Sequence, residues 1–175
     1  MERHLTGPWA RLVRGKAEVL ELVGRRSAEV RERRPPMGGW SLVDVVEHLV
    51  LVEQGLNSAL AKAPNPARPR VVRWDQGFRF LVMRVVLKVG VRVKAPVVEV
   101  LPTRELPWHA LLSRWEEHRR GLEEWLLSAD PAILGDARFK HPIVGWLTVP
   151  QALTFAADHL EHHLAQIGRI GRVIG

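Results

Sequence analysis

The chain has 175 residues, 46 % hydrophobic and 26 % charged, values that suit one folded domain with a real core and exclude global disorder. It contains no cysteine and no tyrosine, which removes disulfides, thiolate metal sites, a cysteine nucleophile and a phenolic acid or base together. A formal charge of +7 suits contact with nucleic acid, an anionic membrane or an anionic substrate, and equally suits a soluble protein rich in arginine.

Met1 to Trp9 holds no apolar run of signal-peptide length, and no segment approaches the roughly 20 apolar residues of a membrane span. A cytoplasmic protein is expected. From about Trp9 to Arg34, the residues Leu12, Val13, Leu20, Val23 and Val30 fall at helical separations, and Pro35 and Pro36 end that helix. Ser41 with Asp44 three residues on reads as a variant capping box. Leu42, Val45, Val46, Leu49, Val52 and Leu56 carry a second helix to about Lys62. Pro64, Pro66 and Pro69 mark a linker.

Between Trp74 and Val89, apolar pairs alternate with single basic residues. As a helix, this segment would set Arg84, Lys88 and Arg92 on one face and Phe78, Leu81, Val82, Val85 and Val89 on the other. Its valines also suit a strand. Ala95 to Leu101 reads as extended. Pro107 opens a helix through Leu111, Leu112, Trp115, Leu122, Trp125 and Leu126 to about Ser128. Pro131, Gly135, Pro142 and Gly145 mark a loop. Thr148 and Gln151 form a second capping box, and the last helix runs from about Val149 to Ile170. The expected fold is all-α: a single domain over residues 1–175, built as a four-helix bundle with an extra helical or irregular segment between helices 2 and 3.

Eight histidines are present, and their positions differ in meaning. His159 and His163 stand four apart, so they share one helical face about 6 Å apart along the axis and could bind one metal ion together. His162 points about 100° away from His163 and suits the same site poorly. Leu160 follows His159, so the glutamate of an H-E-x-x-H protease motif is missing. On spacing alone, two ordinary surface or core imidazoles are the commoner meaning of such a pair. A third ligand is needed, and His48, in the middle of an apolar helix, is the natural candidate. Asp44 precedes it by four residues and could face the same space, although its usual role is a cap. Three imidazoles leave a tetrahedral ion one open position, the mark of a catalytic site. His4, His109 and His118 read as surface residues, and His141 as a structural loop residue.

Three sequence blocks carry a family resemblance. Gly39-Trp40-Ser41-Leu42 leading to His48 looks like the second helix of the DinB-like, or YfiT-like, superfamily. His141-Pro142-Ile143-Val144-Gly145-Trp146-Leu147-Thr148 resembles the loop and cap before that family's last helix. His159 to Ile167 is similar to its H-x-x-H-H-x-x-Q-I signature. The resemblance implies metal ligation by His48, His159 and His163, the same three that spacing selects. It also implies a four-helix bundle, often dimeric, with one divalent metal ion, zinc or nickel. Between Pro64 and Pro102 no motif anchors the resemblance.

For function, the resemblance points to a metal-dependent thiol S-transferase using a low-molecular-weight thiol such as bacillithiol or mycothiol, or to a metal-dependent hydrolase. The substrate would be a small molecule and the assembly a homodimer, for which the seven tryptophans offer apolar surface as readily as they fill the core. Asp44 and Glu47 are the candidates for a general base, and Asp44 and Gln166 the candidates to support the ligands from behind. The alternative is a non-catalytic bundle that binds or stabilises. Contact with nucleic acid or membrane through the basic surface is disfavoured, because the basic residues are spread along the chain and no nucleic-acid motif is present.

Overall fold

The computed structural model describes residues 1–62, 72–89 and 98–175. Among these residues six α-helices follow one another: α1 (Arg3–Gly24), α2 (Ala28–Glu32), α3 (Leu42–Ala61), α4 (Trp74–Val89), α5 (Trp108–Ser128) and α6 (Val149–Ile174). A hairpin of β1 (Ala137–His141) and β2 (Gly145–Thr148) lies between α5 and α6. The fold is thus helical, as the apolar spacing predicts. The linker prolines Pro64, Pro66 and Pro69, and also Arg92 and the start of the Ala95–Leu101 stretch, lie outside the described residues.

Both capping boxes form. Ser41 Oγ accepts from the Asp44 N–H while Asp44 accepts from the Ser41 N–H, and Thr148 and Gln151 do the same at α6. Several expectations need correction, among them Val98–Val100, a 3-10 turn inside the stretch read as extended. The first helix begins at Arg3 and ends at Gly24, well short of Arg34. A glycine closes it, and Ser27 then caps the separate turn α2 by accepting from the Val30 N–H. The stretch read as a loop before α6 is an antiparallel hairpin, whose strands of five and four residues are too short to show a clear alternation. His118, expected at the surface, is half-buried on α5, and its Nε2 is enclosed without a partner.

Helix α1 lies along α6, and α3 lies along both α5 and α6. Long side chains complete the bundle between α1 and α5: Lys16 pairs with Glu116, and Arg119 lies over the Trp9 ring at 5.5 Å. Leu12, Val19, Leu49, Trp115, Leu122, Leu153 and Leu160 belong to the continuous apolar core. A Cβ on Gly15 would stand 2.2 Å from Leu160 Cδ2, so the glycine lets α1 close directly on the turn of α6 that carries the histidines.

Helix α4 rests on α6 and β2 with its faces reversed from expectation. Phe80, Met83, Arg84 and Leu87 turn inward or partly inward, while Phe78, Leu81, Val82, Val85 and Val89 are exposed. The buried Asp158 of α6 explains the reversal. Its carboxylate accepts from Arg84 Nε at 2.6 Å on one side and from Arg11 Nη2 on the other. A carboxylate wholly removed from water requires such partners, and supplying one outweighs the burial of α4's most apolar stripe.

A second buried ion pair joins α3 to α5. Glu53 accepts from Arg119 Nε (2.5 Å) and Nη2 (2.7 Å) and from Trp115 Nε1 (2.9 Å). Removing one partner strands the other charge in the core. Glu53→Ala is expected to cost about 3–5 kcal/mol in urea unfolding, and adding Arg119→Met should recover much of that loss. A single-mutant cost below about 1 kcal/mol would show that the pair contributes little.

Candidate metal centre

His48 comes from the middle of α3, and His159 and His163 come from consecutive turns of α6. The two helices pack together, which sets the three rings in one cluster with ring centroids 4.5–5.0 Å apart. His159 Nε2 lies 3.2 Å from His48 Nε2 and 3.2 Å from His163 Nε2. The three potential ligand atoms all lie within 4.8 Å of one another. Two nitrogens that share a tetrahedral ion at bond lengths of about 2.0–2.1 Å are separated by roughly 3.3 Å. The two 3.2 Å separations to His159 match that value.

The far sides of the rings determine what the near sides offer. His48 Nδ1 donates to the carbonyl of Val100 at 2.7 Å, and His163 Nδ1 donates to Gln166 Oε1 at 2.7 Å. Each bond holds the proton on Nδ1, so Nε2 presents a lone pair to the cluster. Burial pushes the His48 pKa down and takes His159 well below its ordinary value, and it lowers His163 to about 3. The three rings are therefore neutral at physiological pH, the form that ligates metal. Trp40, just before the α3 cap, packs its ring on His48 at 4.9 Å and stacks near His163 at 6.2 Å. Phe155 covers His159 at 5.4 Å.

Asp44, Glu47 and His48 occupy positions i, i+3 and i+4 of α3, and together they fasten the segment that follows Val98. Glu47 accepts from Thr103 N–H, Thr103 Oγ1 and Arg104 N–H, with distances of 2.9–3.2 Å. Asp44 accepts from the Arg104 guanidinium at 2.5 and 2.8 Å. Burial alone would raise the Asp44 pKa, but Arg104 and the Ser41 N–H outweigh it and hold the carboxyl below its ordinary value. Arg104 has φ of 61°, a left-handed turn that lets its N–H meet Glu47 while its side chain returns to Asp44. Both acids are thus committed to holding the strap that carries Val100. This corrects their expected roles: neither is free to act as a base, and Asp44 supports the strap rather than the ligands directly. Gln166 does contact one of the three clustered rings, that of His163.

The remaining histidines take separate parts. His162 packs edge-on against His163 at 5.2 Å but donates from Nδ1 to the Leu87 carbonyl of α4 at 3.0 Å. His4 and His109 are exposed. His141, at the end of β1, is buried, and its Nδ1 accepts from the N–H groups of Ile143 and Val144, each at 3.2 Å. That arrangement assigns the ring's single proton to Nε2. Burial lowers its pKa to about 4, so His141 is a neutral donor near pH 7. Its ring packs edge-on against Phe155 at 4.7 Å, one ring removed from His159. The Val100 carbonyl, Trp40, Phe155 and the donor role of His141 were not identified from the sequence. Trp40 and His141 lie within two of the blocks that carry the family resemblance, whereas the Val100 carbonyl and Phe155 carry no local signal.

A family model described as the DinB superfamily matches residues 11–167, which include all three clustered histidines. Comparison with curated proteins and with solved structures returned no match.

Burial of neutral imidazoles has a consequence for the metal-free protein. His48, His118, His141, His159 and His163 all have lowered pKa values in the folded chain. Above the unfolded value of about 6.5, both states are neutral and this contribution to stability is complete. Below it, the unfolded chain binds protons that the folded chain refuses, so stability falls through the window down to about 4, where His141 protonates in place. Thermal unfolding in a chelator should show Tm level above pH 7 and dropping steadily below pH 6.5. A flat profile to pH 4.5 would contradict neutral buried rings.

Proposed function

The chain belongs to the DinB superfamily, and we propose that it is a metal-dependent enzyme of that superfamily, acting on a small molecule by thiol transfer or by hydrolysis. The observation that carries this reading is the convergence of three neutral Nε2 atoms from two helices, with two of the rings anchored through Nδ1. Three protein ligands also leave a tetrahedral ion one position for a reactant. Zinc or nickel is the proposed metal, since imidazole suits both.

A divalent ion held by these residues would supply Lewis acidity, bringing a bound thiol or water to its deprotonated form near neutral pH. The protein's own residues do the rest. Gln166 and the Val100 carbonyl orient His163 and His48, while Trp40 and Phe155 exclude water from the ring edges. His141 offers a hydrogen bond from Nε2 but no exchangeable charge, which suits orienting a polar substrate group rather than delivering a proton. Asp44 and Glu47 are already committed, so a proton lost by the nucleophile passes to solvent or substrate. A thiol cosubstrate, being more acidic than water, suits a site without a free base; among the two reactions we favour transfer. The cytoplasm, where small thiols are kept reduced, is the matching compartment.

Plasma mass spectrometry on protein prepared without a histidine tag should find close to one zinc or nickel per chain, lost in His48→Ala and in His159→Ala. Gln166→Ala should keep the fold and weaken metal affinity by about 10–100-fold. The loaded protein should accelerate attack of a cysteine-based thiol on a chromogenic electrophile, and the histidine variants should not. A protein that takes up no metal even after soaking would refute the metal centre. Tight metal binding with no turnover of thiol or ester probes would leave a non-catalytic bundle as the better account.

A further inference from the structure

Among the described residues Arg104 alone, apart from glycines, has a positive φ, at 61°. Such left-handed turns fall readily to glycine, as at Gly38, Gly39 and Gly145 with φ of 80°, 99° and 95°. An L side chain stays in this conformation only where its surroundings hold it. The contacts of the arginine side chain must therefore outweigh a strain that a glycine would not carry.

Those contacts run from the strap to α3. Arg104 Nε donates to Asp44 Oδ1 at 2.5 Å, while Nη2 donates to Asp44 Oδ2 at 2.8 Å and to Ser41 Oγ at 2.9 Å. The N–H of the same residue donates to Glu47 Oε2 at 2.9 Å. Four residues earlier in the strap, the Val100 carbonyl accepts the His48 Nδ1 proton at 2.7 Å. His163 finds its acceptor in Gln166 on its own helix, so α6 by itself supplies that bond. The His48 proton is assigned instead by a carbonyl 52 residues away in the chain, and it depends on where the strap is held.

Neutralising Asp44 does not account for the arrangement. A second guanidinium, that of Arg34, stands 3.8 Å from the same carboxylate. The contribution peculiar to Arg104 is the link from that carboxylate to the strap. We propose that Arg104 is a positioning residue for His48. By tying the strap to Asp44 and Ser41 it keeps the Val100 carbonyl on Nδ1, which fixes Nε2 as the unprotonated atom that the ring turns to the cluster. Released from the strap, the ring can carry its proton on either nitrogen, and a protonated Nε2 cannot ligate. The effect on metal affinity rests on the metal-dependent reading above, whereas the tautomer can be read in metal-free protein.

The Arg104 side chain is partly exposed, so replacing it opens no cavity in the core. Long-range proton–nitrogen correlation spectra of isotope-labelled protein, in chelator at about pH 7.5, lie above the ordinary imidazole pKa. They should show wild-type His48 protonated at Nδ1. Arg104→Gly, which suits the left-handed turn, should move the His48 nitrogen shifts toward those of a ring exchanging between tautomers. Arg104→Lys keeps the charge and loses the planar fork, so it should fall between the two. Arg34→Ala should leave the shifts in place. In competition against a chelator, Arg104→Gly should bind zinc about 10–100-fold more weakly than wild type, and Arg34→Ala as tightly. His48 shifts shared by the wild type and both Arg104 variants would overturn the proposal. So would shifts that move as far in Arg34→Ala as in Arg104→Gly, or a wild-type zinc affinity that Arg104→Gly leaves intact. If the glycine variant does not fold, the lysine variant against wild type carries the same test. A tautomer change in a protein that takes up no zinc would uphold positioning by Arg104 and refute the metal centre.

Discussion

An imidazole taken out of water must give up its charge, and one whose Nδ1 proton is held by an oxygen can offer only a lone pair from Nε2. The rest of this structure is arranged around that constraint. Two of the three clustered rings have their Nδ1 proton assigned by a fixed acceptor, one a backbone carbonyl on the strap after Val98 and one a side-chain amide a turn further along α6. His141 shows the reverse assignment, with Nδ1 filled by two backbone N–H groups and the proton left on Nε2. Neutral acceptors and a neutral donor are thus produced from the same side chain by backbone geometry alone.

The buried acids position the helices around the three clustered histidines. On α3, Asp44 and Glu47 secure the strap whose carbonyl orients His48, and Glu53 locks α5 by its bond to Arg119 and Trp115. On α6, Asp158 stands beside His159 in sequence and ties α1 and α4 to that helix through Arg11 and Arg84. Each carboxylate would be costly to bury alone, so each specifies which element must lie next to it. Arginine dominates the basic residues, and a good part of its role is to satisfy these acids rather than to recognise an anion. The net charge of +7 is the excess left after such pairing, so it resides on cations other than Arg11, Arg84, Arg104 and Arg119.

Helix α4 shows the same logic acting against hydrophobicity. The apolar moment of its sequence points to Phe78, Leu81, Val82, Val85 and Val89 as its buried face, and that face is the exposed one. Arg84 goes inward because Asp158 is waiting there, and it takes Phe80, Met83 and Leu87 with it. Binary patterning describes which residues share a face, while the partners available decide which face is covered.

The helices themselves were legible locally, because apolar spacing, the Ser41 and Thr148 caps and the bounding prolines are short-range signals. The His159 and His163 pair was legible for the same reason, since four residues on one helix fix a relative direction. His48 could be selected as its companion only by its unusual place among apolar neighbours and by family resemblance. The tertiary structure alone decided that Val100 orients His48, that Asp44 and Glu47 serve the strap, that residues 137–148 pair as a hairpin, and that α4 turns its stripe outward. Each of those outcomes depends on a hydrogen bond or ion pair between residues far apart in the chain. Periodicity records which side chains lie together along one helix, but it carries no information about which distant acceptor or charge will be brought against them.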